Sequence, residues 1–234
     1  MFFKIGTMNQ ANREQWLKKT LKQIPSGSRI LDAGAGEQKY KKFCTHLNYV
    51  SQDFAQYDGK GDGKALQTTT WNTSNLDIIS DITSIPEPDA SFDAIICIEV
   101  LEHLPEPVLA IKEFSRLLKP DGYLILTAPF CSLTHMAPYH YYSGFNRYFY
   151  QKHLADNGFE IIELTENGNF FEFLAQEIRR IPDMAKKYTP EYKIGILNRI
   201  AMQKCLQMLQ NLSQNDRDSK DLLNFGYHIF AQKK

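Results

Sequence analysis

The stretch Arg29-Ile-Leu-Asp-Ala-Gly-Ala-Gly36 constrains the chain more than any other: a short apolar strand runs straight into an acid and two glycines. Gly34 and Gly36 let the backbone turn tightly and approach a ligand with no Cβ in the way. A helix expected from about Glu37 would then turn its first amides toward a nucleotide-type ligand in the crevice beyond the strand. Taken alone, the same turn also fits a plain strand-to-helix connection.

The chain beyond the turn favours the first of these. Short apolar runs bounded by turn residues recur at Arg29–Ala33, Leu47–Gln52, Phe92–Ile98, Gly122–Ala128, Phe159–Leu164 and Gly226–Ala231, and they read as strands. Helical patterns fall between the earlier ones, at Glu37–Cys44 and Pro107–Leu118. The latter places Val108, Ile111, Leu117 and Leu118 on one face, and Lys119-Pro120-Asp121-Gly122 is expected to end it and turn into the next strand. Parallel neighbours need a crossover, usually a helix, so the alternation predicts an α/β doubly wound sheet. The segment of about 170–215 breaks the alternation. Its apolar positions, among them Leu174, Ile178, Ile181, Ile196, Leu197, Ile200, Leu206 and Leu209, predict a pair of inserted amphipathic helices that serve as lid, dimer face or packing. Residues 57–70 read as a Gly-rich polar loop.

Composition narrows the function classes. With 234 residues, 43% hydrophobic and 23% charged, the chain is expected to be one globular domain, residues 1–234, with that insertion. Lys+Arg and Asp+Glu both number 27, so no global attraction to nucleic acid is expected. The four cysteines are scattered without a Cys-x-x-Cys pair, and no apolar stretch approaches a membrane span. A cytoplasmic protein without stable membrane insertion is the expectation.

The position where a dinucleotide-binding turn has its third glycine is Lys39 here, which disfavours a dinucleotide. The next strand-like run ends in Asp53, where a carboxylate can accept hydrogen bonds from both ribose hydroxyls. A ribose is therefore still expected, and Asp53 as a mere loop or capping acid is the alternative.

Four blocks, Ile30–Tyr40, Gln52–Phe54, Ser80–Pro107 and Glu113–Phe130, resemble in content and order the class I S-adenosylmethionine-dependent methyltransferases. The resemblance implies a mostly parallel seven-stranded Rossmann-like sheet with an antiparallel last strand. It places Asp32, Ala33, Gly34 and Gly36 at the methionine part of S-adenosyl-L-methionine, and Asp53 with Phe54 at the ribose. Asp81 and Ile82 fall at the adenine, and Ile98 with Glu99 near the reacting methyl. Asp81 as an ordinary cap is the competing reading.

Glu99–Leu104 (EVLEHL) is similar to the version in quinone-biosynthesis O-methyltransferases, some of which hold a divalent metal with such acids and His. Glu99, Glu102 and His103 could do likewise, or His103 could be the base, or it could cap or pack; no metal is assigned. Cys131, His135 and His140 match no usual zinc spacing. Residues 129–150, rich in Tyr and Phe and carrying His135, His140 and Arg147, are expected to line an acceptor pocket, with core packing as the alternative. His103, Glu99, His135 and His140 are thus the candidate catalytic residues. The pattern of this segment resembles bacterial methyltransferases associated with cell-surface polysaccharide, so a small-molecule or glycan-like acceptor is expected, methylated on oxygen or next on nitrogen, by a monomer or homodimer. A nicotinamide-dependent oxidoreductase and a non-catalytic S-adenosylmethionine-binding protein are the competing functions.

Overall fold

The computed structural model describes residues 4–234. Two compact units partition the chain. One comprises Gln15–Thr165 and Gly226–Lys234, the other the residues up to Glu14 and Glu166–Phe225. The chain runs α1 (Asn9–Leu21), β1 (Arg29–Ala33), β2 (Asn48–Asp53), β3 (Ile78–Ile79), β4 (Phe92–Ile98), α2 (Pro107–Leu117), β5 (Leu118–Pro129), α3 (Arg147–Asp156), β6 (Phe159–Asn167), α4 (Phe170–Tyr188), α5 (Ile196–Gln214) and β7 (Gly226–Lys233).

The strands form one seven-stranded sheet of order β3-β2-β1-β4-β5-β7-β6. β1 pairs parallel with both β2 and β4, β4 pairs parallel with β5, and β7 enters antiparallel to β5. This is the doubly wound sheet that the strand–helix alternation predicts, with the antiparallel last strand that the family resemblance implies. Because β4 is covered on both faces, it reads as a nearly continuous apolar run. Its alternate residues feed two cores: Ile95 and Cys97 join α2 residues Ala110, Ile111, Phe114 and Leu117, while Ala94, Ile96 and Ile98 join Leu17 and Leu21 of α1.

Two local expectations fail. Residues 37–44 form no α-helix: turns lead only to a single 3-10 turn at Lys41–Phe43. Gly36 (φ +50) and Gln38 (φ +57) both occupy the left-handed region, which cannot continue a right-handed helix. The turn after β1 therefore lacks the helix N-terminus expected there. Lys119–Gly122 does not precede the strand but lies within it. Leu118 already pairs with Phe92 and Tyr123 with Ala94, so the intervening residues bulge out, with Asp121 at φ +61.

In the other unit, α4 and α5 occupy the segment expected to be helical. Ala175, Leu206 and Leu209 bury against Ile5, and the Arg179 guanidinium donates to the Ile5 carbonyl at 2.7 Å. Gly6 (φ +72) runs so close to the backbone of Ala175 that a side chain there would collide with it. Ile196, Leu197 and Ile200, expected to cover something, are exposed.

Candidate active site

The chain builds β1, β2 and β3 outward in one direction and then returns to place β4 on the other side of β1, so the topological switch point lies between β1 and β4. The glycine turn leaves β1 at that point. Gly34 (φ +77) has no Cβ because Val100 fills the space, its Cγ2 only 2.6 Å from where a Cβ would sit. A Cβ on Gly36 would overlap the indole of Trp71. The turn is held from the β2 side: Gly34 and Ala35 amides both donate to the Gln52 carbonyl (2.9 and 2.8 Å), and the Gly36 amide donates to Asp53 Oδ2 at 2.9 Å.

The acids expected at the cofactor fall into two situations. Asp53, 7% exposed, receives Gly36 N–H on Oδ2 and Ala55 N–H on Oδ1, so it shapes the turn while each oxygen retains a lone pair. Asp32, 2% exposed, accepts from the Tyr49 phenol at 2.5 Å. Burial pushes its pKa up to about 7, opposed by the Tyr49 hydrogen bond and assisted by the negative charge of Asp53. Asp81 is exposed, and its Oδ1 accepts from both the amide and hydroxyl of Thr83 at 2.8 Å, the geometry of a capping acid. Ala33 and Ile82 are buried in one core and Ile98 in the other. Phe54 packs edge-on against Tyr139, with centroids 5.0 Å apart.

The candidate catalytic residues divide as well. Glu99 (φ +56), just past β4, holds a backbone conformation costly for a residue with a Cβ, and its Oε1 accepts from Thr127 Oγ1 at 2.8 Å. His103, at the end of a 3-10 turn, meets His135 and His140 from the loop after β5. The ring centroids are 4.7 Å apart for 103–135 and for 135–140, and 5.8 Å for 103–140. Burial, then the charge of His135, pushes His103 down to about 4 and also lowers His140. Both of these rings are neutral at pH 7. Of the aromatic segment 129–150, residues Arg147–Tyr150 belong to α3, and Tyr150 is part of the core rather than a pocket wall.

Sequence reasoning did not assign several residues that the structure brings to the glycine turn or to Asp32. Trp71 and Tyr57 meet edge-on (5.8 Å) within or beside the loop read as merely Gly-rich and polar. That loop is laced to the segment after β5 by the bridge Leu66↔His135 and by Asp62 N–H donating to the Ala137 carbonyl at 3.0 Å. A lone Trp at the end of a polar loop was the available signal. Tyr49, whose partner Asp32 lies on the neighbouring strand, left no local trace.

The donor set suits a cationic ligand that carries a ribose. Two glycines permit the tight turn at the switch point, and a buried carboxylate with lone pairs to spare sits at the end of β2, while another at the end of β1 would gain from a nearby positive charge. A pyrophosphate would find the opposite, a turn with no helix N-terminus behind it and two acids beside it.

Comparison with known proteins agrees. Residues 8–164 match the family described as a methyltransferase domain. A ubiquinone biosynthesis O-methyltransferase of Xanthomonas oryzae is 31% identical over 105 residues, and the match spans 44% of this chain and 43% of that relative, so less than half of the curated relative's length is covered. The fold is similar to that of a SAM-dependent methyltransferase from Archaeoglobus fulgidus (TM-score 0.55, 14% identity, 94% of each chain). It is equally similar to that of the cyclase SpnF (TM-score 0.55, 18% identity, 93% of this chain and 80% of that one). On the family match over residues 8–164, the chain belongs to the class I methyltransferases, whose methyl donor is S-adenosyl-L-methionine.

Proposed function

We propose that this protein transfers the methyl group of S-adenosyl-L-methionine to an oxygen of a small, hydroxyl-bearing acceptor. The observation that carries the reading is the β1–β4 switch point, where the glycine turn, Asp32 and Asp53 converge. Oxygen is favoured over nitrogen because curated relatives over the matched segment are O-methyltransferases. In this reading Asp32, Ala33, Gly34 and Gly36 surround the methionine part and Asp53 with Phe54 the ribose. Asp81, Ile82 and Ile98 border the remainder, Asp81 through whatever lone pairs its own turn leaves. The whole chain acts as one methyltransferase domain in the cytoplasm, with α4 and α5 as its insertion. No helix among the described residues is long and apolar enough to cross a membrane.

The bound donor supplies an electrophilic methyl on sulfur, so the protein's task is alignment and exclusion of water more than proton transfer. Glu99, His103, His135 and His140 form the acceptor side. Neutral His103, with Nδ1 committed to the Tyr139 carbonyl at 2.5 Å, presents Nε2 as a hydrogen-bond acceptor that orients a hydroxyl. A pKa of about 4 makes it too weak a base to remove that proton before attack.

Calorimetric titration of wild type and Asp53→Ala with S-adenosylmethionine, S-adenosylhomocysteine and NADH tests the binding step. The sulfur nucleotides should bind wild type and NADH should not, and Asp53→Ala should weaken binding by roughly 1–3 kcal/mol. Unchanged affinity in a folded variant removes Asp53 from the site. Because SpnF pairs a similar fold with the name of a cyclase, binding alone does not decide turnover. A radiolabelled methyl assay over hydroxyl- and amine-bearing acceptors does, and binding without transfer to any of them favours the non-catalytic reading.

A further inference from the structure

Tyr57 is an aromatic residue in a polar, glycine-rich loop between β2 and β3, yet it is 3% exposed. Its hydroxyl accepts from the Thr68 amide at 3.1 Å and donates to Gln67 Oε1 at 2.8 Å. Gln67 Nε2 in turn donates to the Ala137 carbonyl at 3.1 Å, on the loop after β5. The Tyr57 ring meets Trp71 edge-on at 5.8 Å and Tyr139 edge-on at 6.5 Å. Both separations fall in the range of about 4.5–7 Å at which edge-to-face rings attract.

Those two neighbours end on opposite halves of the proposed site. Trp71 rests on the glycine turn, in the space a Cβ on Gly36 would need, and the Asn72 amide beside it donates to Glu37 Oε1 at 3.1 Å. Tyr139 offers its carbonyl to His103 Nδ1, the contact that leaves His103 Nε2 as an acceptor, and its ring packs against Phe54. Between these ends the two loops are laced together. The Leu66 amide donates to the Thr134 carbonyl at 3.2 Å and the Met136 amide to the Leu66 carbonyl at 2.8 Å. Ala55, Ala65, Thr69 and Met136 all hold positive φ without being glycine. Backbone in that region persists only where the contacts around it over-determine it, so the loops form one specified cover and not two independent flaps.

We propose that Tyr57 is a positioning residue that couples the cofactor turn to the acceptor side, an inference that rests on reading the glycine turn as the S-adenosylmethionine site. A nucleotide settling on that turn orders Trp71. Because the same tyrosine ring supports Tyr139, the loop after β5 and the hydrogen bond that fixes His103 are ordered with it. By reciprocity, order on the acceptor side strengthens nucleotide binding. The acceptor pocket is thereby completed only once the methyl donor is in place. A tyrosine that merely filled the inside of its own loop would leave the loop after β5 indifferent to what binds at Gly36.

Amide hydrogen exchange with and without S-adenosylhomocysteine, at a concentration that calorimetry shows to be saturating, tests the coupling. The Gly36 amide reports the turn and the Met136 amide reports the far loop. In wild type the ligand should slow both by at least ~5-fold. In Tyr57→Leu, which loses both ring contacts, it should still slow Gly36 but not Met136, and Tyr57→Phe, which keeps both rings, should restore the slowing at Met136. Gln67→Ala, at a partly exposed position, leaves Tyr57 in place and should reduce the slowing at Met136 alone, which keeps the test decisive should Tyr57→Leu not fold. Slowing of Gly36 without Met136 in wild type, slowing of Met136 that survives in Tyr57→Leu or Gln67→Ala, or Tyr57→Phe behaving as Tyr57→Leu would each overturn the coupling while leaving the cofactor reading intact. Absence of any S-adenosylhomocysteine binding to wild type would overturn the cofactor reading and this inference with it, so the two failures are distinguishable.

Discussion

The phenol of Tyr49 on β2 donates a 2.5 Å hydrogen bond to Asp32 Oδ2 on β1, pairing a tyrosine with a carboxylate that has almost no contact with water. Burial is the larger effect: it pushes Asp32 up to about 7 despite the hydrogen bond, and burial followed by the Asp32 charge also raises the tyrosine. Near neutral pH, Asp32 therefore sits at its own midpoint, with the phenol protonated.

That midpoint gives a stability prediction. A carboxyl whose folded pKa of about 7 exceeds its ordinary 3.8 binds a proton more tightly when folded. Its contribution is fully present below pH ~4 and is lost as pH rises from there through ~7, by on the order of 4 kcal/mol. Denaturant unfolding of wild type and Asp32→Asn across this range should show a decline in wild type that the variant lacks. Parallel profiles would mean that Asp32 is ionised in the folded protein throughout.

Ligand binding should move the same proton. If the methionine part of S-adenosylmethionine sits at Asp32, as proposed, its positive charge lowers the carboxyl's pKa, so binding near pH 6 releases up to one proton. Calorimetric enthalpies in buffers of different ionisation enthalpy should differ accordingly for wild type and coincide for Asp32→Asn. Coincident wild-type enthalpies would place the cationic part of the ligand elsewhere.

Gly36→Ala should be costly for two separable reasons. The position holds φ +50, which costs an L-residue roughly 1–2 kcal/mol, and the new methyl would meet the Trp71 ring. Adding Trp71→Ala should recover only the steric part. Thermal unfolding of the single and double variants measures both, and full recovery in the double variant would show that backbone strain contributes nothing.

Trp71 should report ligand binding and Trp16 should not. Trp71 lies against the glycine turn, whereas Trp16 stacks on His228 (4.8 Å) and donates to Glu163 at 3.0 Å. Tryptophan emission should change on titration with S-adenosylhomocysteine in wild type and Trp16→Phe, and stay flat in Trp71→Phe. A response that survives in Trp71→Phe would remove the indole from the site.

The sequence by itself determined six of the seven strands and missed only the two-residue β3 at Ile78–Ile79, too short to leave an apolar run. β4 was legible to the residue, because a strand covered on both faces must be apolar throughout, and β1 with its two glycines because a tight turn at positive φ needs them. Helix α2 was equally plain, although the face it buries, Ala110, Ile111, Phe114 and Leu117, differs in part from the face expected. Asp53 was found by its distance from the turn, a spacing set by one strand–turn–strand unit.

Tertiary structure alone decided what those residues meet. The residues after Gly36 carry a helical pattern, yet the turn that Asp53 and Gln52 hold from the next strand commits Gly36 and Gln38 to left-handed conformations, and the helix is lost. Tyr49 on Asp32, Trp71 on Gly36 and the gathering of His103, His135 and His140 all join residues distant in sequence. Local pattern records which face a residue turns toward the core. It carries no record of which loop closes over that face, because such contacts are selected by the packing of the whole sheet and its loops, which no short window of sequence contains.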